Sequence, residues 1–466
     1  MLKNTFYPAL IITAALLVFG LPFAPPALAV TFTVNSTADL PDDLTLPGTC
    51  HTVANTCTLR AAIMQANRTS GAGATIRLPA GVYTLTIPAA GANGEENGDL
   101  NLTTPPTLPR PVISIIGAGA DQTIIDGNQL DRVLLIDRDR EVSITGVTIR
   151  NGYATPGGGI FNYNGKLTVT NSTISGNQAN YGGGIHSIGG TVKVTNSTIS
   201  GNQANADGGG INTEFVLIGE HSNLVVSNST ISGNQANSGG GIYNQGGPAT
   251  VTNSTISGNQ AQSTGGAIVN FTILIMVNTT ISQNTAGTDG GGIYNGVGGN
   301  ANVYNSTITQ NDALHYRQPI AGSGGGVYNS AIGIFNLRNS LVAGNSRLGA
   351  LTPDDCYGIL GYFGWNLFGY LTGCTRDTSS ENWGHFSGSL GPLQNNGGPT
   401  WTHALQPGSN AINGGDLVQG CTGPDGLPLA TDQRGAARVV GVRCDIGAFE
   451  YGALIPMLYL PMVISN

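Results

Sequence analysis

The sequence predicts an all-β fold, a right-handed single-stranded parallel β-helix of about a dozen coils, on three observations. Glycine makes up 71 of 466 residues, and 9% of residues are charged, against about 7% and 25% in ordinary chains. The abundant Asn, Thr, Ser, Val and Ile suit short strands joined by tight turns. Secondly, Asn-Ser-Thr-Ile-Ser-Gly-Asn starts at Asn171, Asn196, Asn228 and Asn253, with degraded copies from Asn278, Asn305 and Asn339. Thirdly, a Gly-Gly-Gly-Ile-x-Asn element interleaves with it from Gly157, Gly182, Gly208, Gly239, Gly265, Gly290 and Gly324. A period near 25 without helix formers means one solenoid coil per repeat, and the crossover preference makes it right-handed.

Each coil has a direction. Before Asn171, Leu167 and Val169 alternate with Thr168 and Thr170, which is a strand with the apolar pair inward. The pair recurs as Val192/Val194, Leu224/Val226, Ala249/Val251, Leu274/Met276, Ala301/Val303 and Phe335/Leu337. After the Asn the phase breaks, and the next inward residue is Ile174 or its equivalent. A phase break is a bend, and Asn tolerates the left-handed conformation a bend needs. Stacked coils then place Asn on Asn, predicting a side-chain amide ladder along Asn171, Asn196, Asn228, Asn253, Asn278, Asn305 and Asn339. Asn177, Asn202, Asn234, Asn259, Asn284, Asn311 and Asn345 make a second such column.

The ends differ from the middle. Lys3, the apolar run Ala9 to Leu21 and Ala27-Leu28-Ala29 read as a secretory signal over residues 1–29, leaving no membrane span after its removal. In an oxidising compartment the six cysteines form disulfides. Sequence proximity favours Cys50–Cys57, Cys356–Cys374 and Cys421–Cys444 among the pairings available. Scattered histidines and no Cys-x-x-Cys spacing give no metal site, and nothing calls for a cofactor. With net charge −8 and three lysines, nucleic acid is excluded as a partner.

Cys57-Thr58-Leu59-Arg60-Ala61-Ala62-Ile63, followed by Gln65-Ala66-Asn67, resembles the signature of the CSLREA domain. Ala61 stands where that pattern has glutamate, so Arg60 must find another partner. Asn396-Gly397-Gly398-Pro399-Thr400, Asp432-Gln433-Arg434-Gly435 and Cys444-Asp445-Ile446-Gly447-Ala448-Phe449-Glu450 resemble the choice-of-anchor Q domain. The coils between are similar to the polymorphic-outer-membrane-protein type of β-helix. The resemblance implies a secreted or surface-displayed bacterial β-helix protein of largely unassigned role.

The domain reading is a signal over 1–29, an N-terminal cap over 30–74 with a strand Thr31 to Val34 and a helix Leu59 to Asn67, and repeats over 75–347. Final irregular coils and a C-terminal cap follow over 348–452, then an apolar tail over 453–466. A cap is needed because the first coil would otherwise leave its interior open. Asp432, Arg434, Asp445 and Glu450 read as a structural ion-pair cluster closing the rod.

Right-handed β-helices host pectate lyases, polygalacturonases and epimerases, so a polysaccharide lyase, hydrolase or epimerase is the alternative function. Such chemistry needs converging ionisable groups. Between Asn151 and Ser346 the acids are Asp207, Glu214, Glu220, Asp289 and Asp312, and the bases Lys166, Lys193, Arg317 and Arg338. Glu214 and Glu220 share an inserted loop with His221, Asp207 and Asp289 lie coils apart, and no carboxylate is in register with Lys166 or Lys193. A second acidic stretch runs through Asp121, Asp126, Asp131, Asp137 and Asp139. The expectation is therefore no catalytic residue, and a structural or adhesin-type protein that binds carbohydrate or a cell-envelope partner.

Two surfaces suit such a role. In Gly-Gly-Gly-Ile-x-Asn the Ile points in and x points out, so Phe161, His186, Asn212, Tyr243, Val269, Tyr294 and Tyr328 form an outward column, an aromatic ridge of the kind that holds sugar rings. In the coil ending at Asn278, Ile273, Ile275 and Val277 point out beside Tyr304. Such a patch calls for a cover: a loop, the C-terminal region or a partner, with Leu314 to Ser323 the nearest in sequence.

Overall fold

The computed structural model describes residues 29–455, except 47, 70–72, 91–93, 104–110, 216–220, 315–322, 350, 363, 377–382 and 417–420. The signal segment and most of the apolar tail thus lie outside the described residues, as do Glu220, Arg317 and most of the Leu314 to Ser323 insertion. The chain winds into a parallel β-helix whose coils stack in sheets of 22, 12 and 9 strands among the described residues. The twelve-stranded sheet takes one strand from each coil, in agreement with the expected dozen.

A regular coil has four strands. In the coil of the first repeat these are Ile160–Tyr163, Lys166–Thr170, Thr173–Ser175 and Gln178–Tyr181. Each pairs in parallel with its equivalent one coil on, as Leu167 with Val192 and Ile174 with Ile199. The alternation holds throughout: Leu167, Val169, Val192, Val194, Leu274 and Met276 are all essentially inaccessible, as are Ile174, Ile199, Ile231, Ile256, Ile281 and Ile308. Together they form one continuous core along the axis.

The corners follow from backbone chemistry. Asn171, Asn196, Asn228, Asn253, Asn278, Asn305 and Asn339 all have φ between 47° and 50°, the left-handed conformation that Asn tolerates better than most residues. At the glycine triplets backbone meets backbone. A Cβ on Gly183 would stand 2.5 Å from the Gln203 carbonyl oxygen.

The two Asn columns behave differently from each other, which corrects the expected pair of ladders. The left-handed corner turns its own side chain off the axis, so Asn171 and Asn196 are exposed. The inward position passes to the next residue: Ser172 N donates to Ser197 Oγ, and Ser197 N to Ser229 Oγ, both at 3.1 Å. Of these two columns, the second carries the amide ladder. Asn177 Nδ2 donates to Asn202 Oδ1, Asn202 to Asn234, and so on through Asn259, Asn284 and Asn311 to Asn345, at 2.8–3.0 Å. All bonds point one way, and the last donor, Asn345 Nδ2, meets the Asp355 carboxylate at 2.8 Å, a charge-assisted terminus. A third inward column, at the last residue of each Gly-Gly-Gly-Ile-x-Asn element, carries Asn244 to Asn270 to Asn295 to Asn329 at 2.8–2.9 Å.

A helix packs at the N-terminal end. The helix Leu59–Asn67 starts at Thr58, whose hydroxyl accepts the Ala61 amide, and Leu59, Ala62, Ile63 and Ala66 join the core. Arg60 finds its partner in Asp39, with Nε 2.7 Å from Oδ1, and also donates to the carbonyls of Gly98 and Asp99. Cys50–Cys57, Cys356–Cys374 and Cys421–Cys444 are each joined.

The C-terminal region packs on the side of the rod. After the antiparallel strands Leu390–Gln394 and Thr402–Leu405, it runs back along the flank formed by the Thr-Ile-Ser strands. Thr400 Oγ1 donates to the Asn253 carbonyl, Thr280 Oγ1 to Gln433 Oε1, and Ala448 N to Thr307 Oγ1. Ser282 Oγ lies 2.8 Å from Nε2 of His403, whose pKa burial lowers. Leu341 and Leu367 pack outward against Leu405, Ile446 and Phe449 in a second small core. The Asp432–Arg434 pair is buried at 2.7 Å, with Arg434 also over the Phe449 ring. Glu450 Oε2 accepts the Asp445 amide, and burial pushes Glu450 up to about 7. The four residues do cluster, but they hold a side strap rather than closing the rod.

That strap also settles the apolar strand Ile273–Val277. Leu274 and Met276 face inward, as the alternation requires. Val277 is covered, and the adjacent Asn278 Nδ2 donates to Thr431 O at 2.8 Å, so the cover on this side is the C-terminal region. Leu314 instead borders a groove with Gln260 and Thr285 on another face. Ile275 is half-buried beside Asn302, and Ile273 stays 42% exposed. The patch is smaller than expected.

Candidate functional site

The strands that follow the glycine triplets carry the outward column, and their register is as the repeat predicts. Phe161 pairs with His186, His186 with Asn212, Asn212 with Tyr243, Tyr243 with Val269, Val269 with Tyr294 and Tyr294 with Tyr328. Tyr328 pairs in turn with Tyr357, a member the repeat did not reveal because its coil lacks the glycine triplet.

The rings are arranged differently from a flat ridge. Tyr294 stacks on Tyr328 and Tyr328 on Tyr357, each at 5.0 Å between centroids and within 13° of parallel. Phe271 fills the gap over Val269, 5.7 Å from Tyr243 and 6.3 Å from Tyr294. Rings stacked along the axis occupy one another's faces, so the ridge presents edges and half-buried hydroxyls. Tyr357 is the last ring, and among the described residues no further ring covers its second side. A groove of about 480 Å³ opens there, lined by Tyr328, Asn329, Tyr357, Ile359, Cys374 and Thr375 among others.

The other end of the column is polar. His186 and Asn212 are 1% and 0% exposed, although they sit at outward positions. Asp207 ends the strand Gln203–Asp207, opposite Tyr181 in the coil before. Glu214 is the last residue of the strand Ile211–Glu214, not part of the inserted loop, and its Oε1 accepts Asn212 Nδ2 at 2.9 Å. Burial, reinforced by the Glu214 charge, pushes Asp207 up to about 6. Partial burial, with the charges of Asp207 and Glu214, pushes the Tyr243 hydroxyl up to about 12. Burial and the nearby Arg132 hold His186 down to about 3, a neutral imidazole. Glu214 thus touches Asn212 and lies near enough to Asp207 for the two charges to interact, contrary to the expectation of no converging carboxylates. Spacing by coils hid this, because the two belong to one coil on either side of a glycine corner.

Other charges pair with their neighbours. Lys166 is in register with Glu141 and pairs with it at 2.7 Å, which corrects the reading that it faces no carboxylate. Lys193 lies opposite Thr168 and not beside Lys166. Asp126 is bound by Arg150 at 2.8 Å and by Asn151. Among the described residues no three His, Cys, Asp or Glu side chains group as metal ligands. No helix among them is long and apolar enough to cross a membrane.

Residues 160–359 match the family model described as the right handed beta helix region. With the parallel stacking above, that fixes the fold as an all-β right-handed parallel β-helix. No curated protein matches the chain. A solved structure titled "Crystal structure of pectate lyase Pel9A" matches at 13% identity and a TM-score of 0.42, over 91% of this chain and 95% of that one.

Proposed function

We propose that this is a secreted or cell-surface β-helix protein that binds glycan, without cleaving it, on the face that follows its glycine triplets. The signal-type leader and three disulfides support an extracellular site of action. The groove at the open end of the Tyr294–Tyr328–Tyr357 stack is the single observation that carries the reading. An aromatic face bordered by backbone amides and a threonine hydroxyl suits a pyranose ring, which has an apolar face and polar edges. A glycan-array screen of the purified protein, followed by titration of the best hit, tests it. Tyr357→Ala is expected to weaken binding about tenfold or more with the melting temperature unchanged. No hit, or a hit indifferent to Tyr357→Ala, contradicts it.

A polysaccharide-cleaving enzyme is the competing reading, and the convergence of Asp207 and Glu214 favours it. Cleavage of pectate, alginate or a neutral glycan that disappears in Asp207→Asn would select it.

A further inference from the structure

We infer that a groove on the nine-stranded sheet binds a neutral, extended β-linked glycan chain laid along the rod axis, one sugar unit to a coil. It lies on a different sheet from the Tyr357 groove and stands independently of it. The groove holds about 440 Å³, within the roughly 300–1,000 Å³ of small-ligand sites. Gln203, Gln235 and Gln260 run along it in one register, one residue per coil, with Thr285 next in line.

The repeat builds this row. In Gly-Asn-Gln-Ala the Asn points inward, so the Gln that follows it points out. Asn202, Asn234 and Asn259 are buried and joined in the amide ladder at 3.0 and 2.9 Å. Gln203, Gln235 and Gln260, one residue on, are exposed. Among the described residues none of these three side-chain amides has a hydrogen-bond partner in the protein. The ladder directly beneath holds the three positions at the coil spacing of about 4.8 Å before any ligand arrives. Binding then has only side-chain rotation left to order.

The lining sets the ligand class. A primary amide offers two N–H donors and a carbonyl acceptor, the complement of neighbouring sugar hydroxyls. Ala204, Ala236 and Ala261 also line the groove and are almost wholly buried, a floor of small side chains. Leu314 borders the Thr285 end and adds an apolar contact for the C–H face of a ring. Among the described residues no charged side chain lines the groove. A uronate would therefore lose hydration at its carboxylate with no cation to replace it. The N–H and C=O groups of these strands are spent on pairing between coils, so recognition falls to the side chains. The coil rise is close to the length of one unit in an extended β-1,4-linked chain, which lets successive sugars meet successive amides.

Calorimetric titration of the Tyr357→Ala protein, in which the other groove is disabled, tests the inference. The probes are the β-1,4-linked hexasaccharides of glucose, mannose, xylose and N-acetylglucosamine, with hexagalacturonate as the charged control. At least one neutral hexamer is expected to bind about tenfold tighter than hexagalacturonate, and its disaccharide to bind more weakly than the hexamer. Adding Gln235→Ala should weaken that binding about tenfold, and Gln235→Ala with Gln260→Ala should abolish it. Both residues are exposed, so the melting temperature should stay unchanged. A neutral hexamer that binds the wild type and not Tyr357→Ala overturns the inference while leaving the glycan reading of the tyrosine face intact. Binding indifferent to both glutamines, or hexagalacturonate binding as tightly as the neutral chains, also overturns it. Binding that survives Tyr357→Ala and disappears with the two glutamines upholds it, even if the tyrosine groove proves empty.

Discussion

The same seven-residue motif stands in two surroundings in this rod. In the coils of Asn171 and Asn196 the corner asparagines are exposed and Thr173 and Thr198 are half-buried. In the coils of Asn278 and Asn305 the equivalent residues, with Thr280 and Thr307, are buried under the returning C-terminal segment. Backbone conformation is identical in the two halves, with φ at 48° for Asn171 and 49° for Asn305. The motif thus dictates the corner, whereas a segment more than 100 residues away decides whether the corner is surface. A repeat reports its own coil and nothing about what lies against it.

Substitutions at the two kinds of asparagine sharpen that comparison. The largest effect belongs to the inward ladder. Asn259→Ala removes the acceptor for Asn234 and the donor to Asn284 and the Ile231 carbonyl, all buried. A loss of about 3 kcal/mol or more is expected in denaturant titration, since several polar groups are left unsatisfied. A change below about 1 kcal/mol would show that the ladder is not a stabilising element.

The corner column should respond less, and unequally. Asn171→Ala places a Cβ-bearing residue with no compensating side-chain bond in the left-handed region, at about 1 kcal/mol. Asn305→Ala adds the loss of the 3.0 Å bond to the Thr422 carbonyl, so its cost should exceed that of Asn171→Ala by about 1 kcal/mol. Equal costs would mean that the C-terminal segment does not rest on this flank in solution.

What the sequence made legible follows the same division. Leu167 and Val169, the helix at Leu59 and the corner at Asn171 rest on period-two alternation, a capping threonine and a left-handed Asn, all local signals. The strap of Gln433, His403 and Ala448 left no local signal, because its contacts join residues more than 100 apart without shared periodicity. The nearness of Asp207 and Glu214 was hidden for a geometric reason. Coil spacing compares equivalent positions, and Asp207 and Glu214 are not equivalent; they flank one glycine corner of a single coil. The aromatic column was legible in its members and not in their packing, since stacking at 5.0 Å depends on side-chain rotation that no pattern records.

Hydrogen exchange of the intact protein, with and without a bound array glycan, measures directly which face is functional. Slowed exchange is expected in the strands carrying Tyr294, Tyr328 and Tyr357 and around Gly373 to Thr375, with the flank strands at Thr255, Thr280 and Thr307 unchanged. Protection that falls on that flank or on the segment from Asn395 to Ile455, and leaves the tyrosine strands unaltered, would contradict the assignment of the glycine-triplet face as the binding surface.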